Sequence, residues 1–254
     1  MRRLFAPLLL ANALAASETA NVGLRIVPAP GPVRIDGRAD DWDRSAAILV
    51  HGALAAHRDR LGLWLQAMHD ADHLYILALW RDPSPLDNPG VVGDPKARPW
   101  LGDCLQVRIA VAFEGVGGME RITHWNSWRD RDGTSVLGLT VGRMLSAARV
   151  PDALAHGAAQ AFSSGEAGYA QELALPWALL SDDGKRPADA VPLRLTVEAC
   201  YTPEREQTDQ TVFKDLFFPG RFQDRVTTFR SPECWAPAWL LDRGGVRPSP
   251  VPLA

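Results

Sequence analysis

The chain has 254 residues, a net charge of −3 from 27 basic and 30 acidic side chains, and no block of lysine or arginine. An electrostatic surface for nucleic acid or anionic lipid is therefore not expected. Apolar residues make up 46% and are evenly spread, enough for the core of one β-rich domain.

The N-terminus carries two arginines, an apolar run from Leu4 to Leu14 and a small-x-small site at Ala13-Leu14-Ala15. That order of features marks residues 1–15 as a secretory signal peptide, because the run is too short to span a bilayer. The mature product is expected to begin near Ala16, to be secreted or periplasmic, and to have no membrane contact after signal removal. Residues 16–32 are polar, then rich in proline and glycine, and read as a linker.

Structure is expected to start at Val33. Val33 and Ile35 alternate like an edge strand, Asp36-Gly37 supplies a bend, and Trp42 can fold back as an apolar plug over one end of the domain. Leu61 to Met68 and Leu74 to Trp80 are strand-length runs around His69-Asp70-Ala71-Asp72-His73, a hairpin. A long loop follows from Ser84 to Leu101 and holds Trp100; a connector of that length is a place for function.

Asp103 to Val111 alternates cleanly, with Leu105, Val107 and Ile109 facing the core and Cys104, Gln106 and Arg108 facing away. Glu114 to Gly118 reads as a turn, and Arg121 to Trp128 as a strand with His124, Asn126 and Trp128 on one side and Trp125 on the other. Ser135 to Val141 returns as a strand, and 142–157 reads as loop. Ala158 to Ser163 pairs with Tyr169 to Pro176, Trp177 to Leu180 forms a helical turn, and Leu193 to Tyr201 alternates again. Strands near Val226 to Phe229 and Trp239 to Leu241 close the domain at 242, and 243–254 reads as a flexible tail. About ten short strands with almost no amphipathic helix predict an all-β fold, an immunoglobulin-like antiparallel β-sandwich in a single domain over 33–242.

Cys104, Cys200 and Cys234 allow one disulfide and one thiol in an oxidising compartment, and the sequence does not choose the pairing. There is no C-x-x-C, no G-x-S-x-G, no H-E-x-x-H and no phosphate-binding glycine loop, so no enzyme signature is present. His69 and His73 belong to turn chemistry rather than to a metal, and Asp130-Arg131-Asp132-Gly133 fails as an EF-hand because Trp128 and Leu139 stand where acids belong.

Four islands resemble family 9 carbohydrate-binding modules and their DOMON-like relatives: V-R-I-D-G-R-A-D-D-W at 33–42, H-D-A-D-H-L-Y-I-L-A-L-W-R-D at 69–82, G-D-C-L-Q-V-R-I at 102–109 and Y-A-Q-E-L-A-L-P-W at 169–177. E-C-W-A-P-A-W-L-L at 233–241 resembles the final strand of such domains. The resemblance implies a non-catalytic sandwich whose partner is an oligo- or polysaccharide, held by aromatic stacking and polar side chains, with structural calcium in some members. Its haem-binding relatives imply a second reading, a b-type haem for electron transfer, with Met68, Met119 or Met144 and a histidine or Lys214 as axial ligands.

A sugar presents C–H faces to aromatic rings and hydroxyls to planar polar groups. Trp100, Arg108, His124, Trp125, Asn126 and Trp128 are the expected ligand-binding set, while Trp42, Trp64, Trp80 and Trp177 lie in apolar patterns and read as core. Arg108, Glu172, Arg194 and Glu198 share the outward parity of their strands and could line one polar face, or form a charge ladder on a solvated sheet.

Overall fold

Alternation with a period of two dominates the chain, and the structure, a computed structural model, turns nearly every such run into a strand. It describes residues 23–50, 61–94, 98–111, 121–142, 148–150, 153–188, 193–202, 211–215 and 231–246. The described strands are β1 (Leu24–Pro28), β2 (Ile48–Val50), β3 (Gly62–His69), β4 (His73–Arg81), β5 (Cys104–Val111), β6 (Arg121–Arg129) and β7 (Ser135–Val141). They continue with β8 (Ala148–Val150), β9 (Ala159–Gly165), β10 (Gly168–Pro176), β11 (Leu193–Tyr201), β12 (Thr211–Asp215) and β13 (Ala236–Leu240). The single α-helical turn among the described residues, α1 (Trp177–Leu180), follows Pro176 as expected.

These strands form one hydrogen-bonded sheet in the order β8-β7-β6-β5-β11-β13-β1-β3-β4-β10-β9, with β12 on β11 and β2 on β3. The fold is all-β, as predicted, but it is one curled sheet with thirteen described strands rather than two separate sheets of about ten. The reason lies in Leu24–Pro28. This segment, expected as linker, is a buried strand that pairs parallel with both β13 and β3 and so joins the two halves. Its parallel ladders also break the wholly antiparallel expectation.

The inner faces meet across one core. Leu63, Leu65, Ile76 and Leu173 on one side of the curl cluster with Val107, Trp125, Leu195 and Val197 on the other. A polar bridge crosses between them: Gln171 Nε2 on β10 donates to Ser127 Oγ on β6 at 2.6 Å, while Trp80 Nε1 donates to Gln171 Oε1 at 2.9 Å. A buried amide satisfied on both ends fixes the register of the two halves, because moving either strand strands a donor or an acceptor.

The outer face of β3, β4 and β10 is covered by residues 33–47. Val33 and Ile35 do not form the expected edge strand, since the local backbone finds side-chain partners: Arg34 N–H donates to Asp41, and the N–H groups of Asp36 and Gly37 donate to Glu172 Oε2. Trp42 is the expected plug, packed on Tyr75, Met68 and Leu77, and its indole donates to Glu172 Oε1 at 2.6 Å. The bend at Asp36-Gly37 is as expected, with Gly37 at φ +85° and Asp36 accepting the N–H of Arg38. At the other end of the chain, Gly245 N–H donates to Asp43, so the expected tail is pinned at its start.

Candidate polar binding face

On the other half of the sheet the outer face is polar, and strand register builds it in rows. Glu198, Gln106, Asn126 and Gly138 stand side by side across β11, β5, β6 and β7; Thr196, Arg108, His124 and Thr140 form the next row. Apolar rows bracket this band. Cys200, Cys104, Trp128 and Val136 lie on one side, and Ala110 and Ile122, covered by Trp235, on the other.

Arg108 organises the band. Its guanidinium is 2% exposed and donates from Nη2 to Gln106 Oε1 at 3.3 Å and to His124 Nε2 at 3.1 Å, and Nη1 lies 3.8 Å from Glu198 Oε2. His124 Nε2 stands 3.1 Å from Arg108 Nη2, a donor, and 3.1 Å from Gln106 Oε1, an acceptor, so the ring joins both groups. Burial first, and then the Arg108 charge, hold the His124 pKa well below its ordinary 6.5, so the ring is neutral at physiological pH. Gln106 turns its amide the other way and donates to Cys200 Sγ at 3.3 Å.

Asn126 completes the arrangement. Its Oδ1 is buried and forms no hydrogen bond of ordinary length and angle, with the His124 ring within its reach, and beside it Gly138 carries no side chain: a Cβ there would meet only Asn126 atoms, at an ordinary 3.9 Å. A buried acceptor next to a position without a side chain suits the hydroxyl of a ligand.

The structure thus brings Arg108, His124 and Asn126 together. Trp128 shares their face but is buried under the long loop, with its ring against Gly90. Trp125 is fully buried in the core on the opposite face, where its indole donates to Thr123 Oγ1, so it cannot stack on a ligand. Trp100 is 36% exposed on the 3-10 turn Pro99–Leu101, which packs against β5 and β11. Trp64, expected as core, points outward from β3 and is 46% exposed, because the 33–47 cover ends short of it. Gly138 and Trp235 were missed; Gly138 matters only through its register opposite Asn126, which no local pattern announces.

The four residues of the expected polar ladder do not share one surface. Arg108 and Glu198 are buried together in the band, Arg194 donates to the Trp235 carbonyl, and Glu172 lies under residues 36–42 on the other outer face.

For calcium, the nearest donor set is Asp82, Asp87 and Asp103 around the start of the long loop. Asp103 accepts the N–H groups of Thr202 and Asp87, and burial, then the Asp82 charge beside it, pushes its carboxyl well above the usual carboxylate range. No group of three or more His, Cys, Asp or Glu among the described residues has a metal-holding arrangement. His69 and His73 serve the hairpin: His69 bonds the Leu241 carbonyl and Arg186, and Asp70 accepts from the backbone of Asp72 and His73. For haem, Met68 is fully buried with its sulfur accepting Asp43 N–H; Met119, Met144 and the Lys214 side chain lie outside the described residues, as do the signal peptide, the 114–118 turn and the strand near Val226 to Phe229. No helix among the described residues is long and apolar enough to cross a membrane.

No family model matches the sequence, and no curated protein matches it. Solved structures do. A family 9 carbohydrate-binding module from Caldicellulosiruptor kristjanssonii, in complex with cellotriose, matches with a TM-score of 0.58 at 17% identity, over 89% of this chain and 98% of that one. A family 9 module from the same organism in complex with glucose gives 0.56 at 16%, over 87% and 97%. A candidate carbohydrate-binding protein from Bacteroides uniformis gives 0.59 at 10%, over 86% and 99%. The chain has the fold of family 9 carbohydrate-binding modules.

Proposed function

We propose that this chain is an exported, non-catalytic module that binds an oligo- or polysaccharide on the polar band of β5, β6, β7 and β11. The observation that carries the reading is the Asn126 Oδ1 acceptor, buried and without a hydrogen bond of ordinary geometry, beside Gly138, where a Cβ would meet only Asn126 at 3.9 Å. A sugar hydroxyl donates to Asn126 Oδ1, and the pyranose edge occupies the place a side chain at 138 would fill. Arg108 and Glu198 hold the neighbouring polar groups in position, so little rotamer freedom is lost on binding. Trp100, exposed on the turn that packs against β5 and β11, supplies the stacking ring. The fold shared with modules that hold cellotriose and glucose supports the same ligand class.

The test is calorimetric titration of the full chain with glucose and with cello-, xylo- and manno-oligosaccharides. Asn126→Ala is expected to weaken binding about 5- to 30-fold, the loss of roughly 1–2 kcal/mol from one hydrogen bond in a desolvated site, with the melting temperature unchanged. Undiminished affinity in Asn126→Ala contradicts the site, and no binding to any member of the panel contradicts the function.

A further inference from the structure

Cys104 and Cys200 are direct cross-strand partners in the antiparallel pair of β5 and β11, so their side chains leave the sheet on the same face. Both are fully buried, in one cluster with Trp128 and Val136. Residues opposed in this way have Cα atoms about 4.5 or 5.5 Å apart, inside the roughly 4.4–6.8 Å that a disulfide spans. Cys234 is elsewhere. It packs with Ala110, Ile122 and Trp235, three rows down the same face, about 20 Å from Cys104 at ~3.3 Å per residue of β5. All three are thiols in the structure.

We infer that Cys104 and Cys200 are the chain's disulfide-forming pair and that Cys234 is its remaining thiol. Geometry therefore makes the choice that the count of three cysteines leaves open. The bond forms by exchange with an external disulfide such as oxidised glutathione. One thiolate attacks that disulfide and expels one thiol, and the second thiolate attacks the mixed disulfide and expels the other, so two electrons and two protons leave on two reduced thiols. Because both cysteines are fully buried, the exchange occurs before the strands close or on their opening. The product ties β5 to β11 one row from Gln106 and Glu198, and so braces the edge of the polar band.

The inference is tested on the full chain equilibrated in a glutathione redox buffer, denatured, alkylated with a maleimide and weighed intact. Wild type is expected to take one maleimide and Cys234→Ser none, and tryptic digests should contain the Cys104 peptide joined to the Cys200 peptide. Dithiothreitol should lower the melting temperature of both proteins and leave that of Cys104→Ser unchanged. Three maleimides on oxidised wild type, or a crosslink that includes Cys234, overturns the assignment. Should Cys104→Ser fail to fold, the maleimide count and peptide map of Cys234→Ser decide the question alone.

Discussion

His124 is where a single buried cation sets the chemistry of its neighbours. Arg108 and burial keep the imidazole neutral, with a folded pKa well below 6.5, while in the unfolded chain the ring titrates at its ordinary value. Below pH 6.5 the unfolded state takes up a proton that the folded state refuses, so the contribution to stability is complete above 6.5 and is lost as pH falls, by at most ~1.4 kcal/mol per pH unit. Thermal melts from about pH 7.5 to 5 should therefore fall more steeply for wild type than for His124→Gln. Parallel slopes would contradict the neutral ring. Glu172 plays a different part in the other half of the sheet. Its two oxygens accept from Trp42 and from the backbone of Asp36 and Gly37, so one carboxylate closes the cover over β3, β4 and β10. The I-D-G-x-x-D-x-W stretch at 35–42 is thereby accounted for by packing.

At the scale of elements, β10 is the strand on which the most depends. Its inner face sends Gln171 across the core to Ser127, its outer face sends Glu172 to the cover, and its start is set by Gly168. Gly168 has φ +152°, and a Cβ there would lie 1.9 Å from the Trp80 carbonyl oxygen, on backbone that cannot yield without breaking the pairing with β4. Gly168→Ala should cost about 2–4 kcal/mol in chemical denaturation. Gly165→Ala, whose Cβ would meet only the Gly168 carbonyl at an ordinary 3.7 Å, should cost less than ~1 kcal/mol. Equal effects would show that the hairpin tolerates opening at Gly168. The hairpin itself was legible in the sequence, as were β3, β4, β5, β6, β7 and β11, because their alternation is local and strong. β1 was not, since five residues bounded by a Pro-rich stretch show little pattern and gain their place only by pairing with strands far along the chain. The outward parity of Gln106, Arg108, His124 and Asn126 was likewise readable. Which outward residues are buried together depends on the register between strands, and a single strand's pattern does not contain it.

For the whole molecule, the curl of one sheet creates a core and two outer faces of different character. One is closed by residues 33–47. The other carries a polar band, two rows deep, between apolar rows that carry Trp128 and Trp235; its Gln106, Arg108, Thr196 and Glu198 are buried, while Asn126, His124 and Gly138 are half-buried. That band is the proposed saccharide site, rather than the outward-facing Trp64 or Trp239, which are 46% and 37% exposed. A two-dimensional NMR titration of the 15N-labelled full chain with cellotriose tests this most directly. The side-chain amides of Gln106 and Asn126 and the backbone of Gly138 should shift together and saturate at one affinity, with the Trp64 and Trp239 indole signals unmoved. A saturating shift of the Trp64 or Trp239 indole, with the band unmoved, would contradict it.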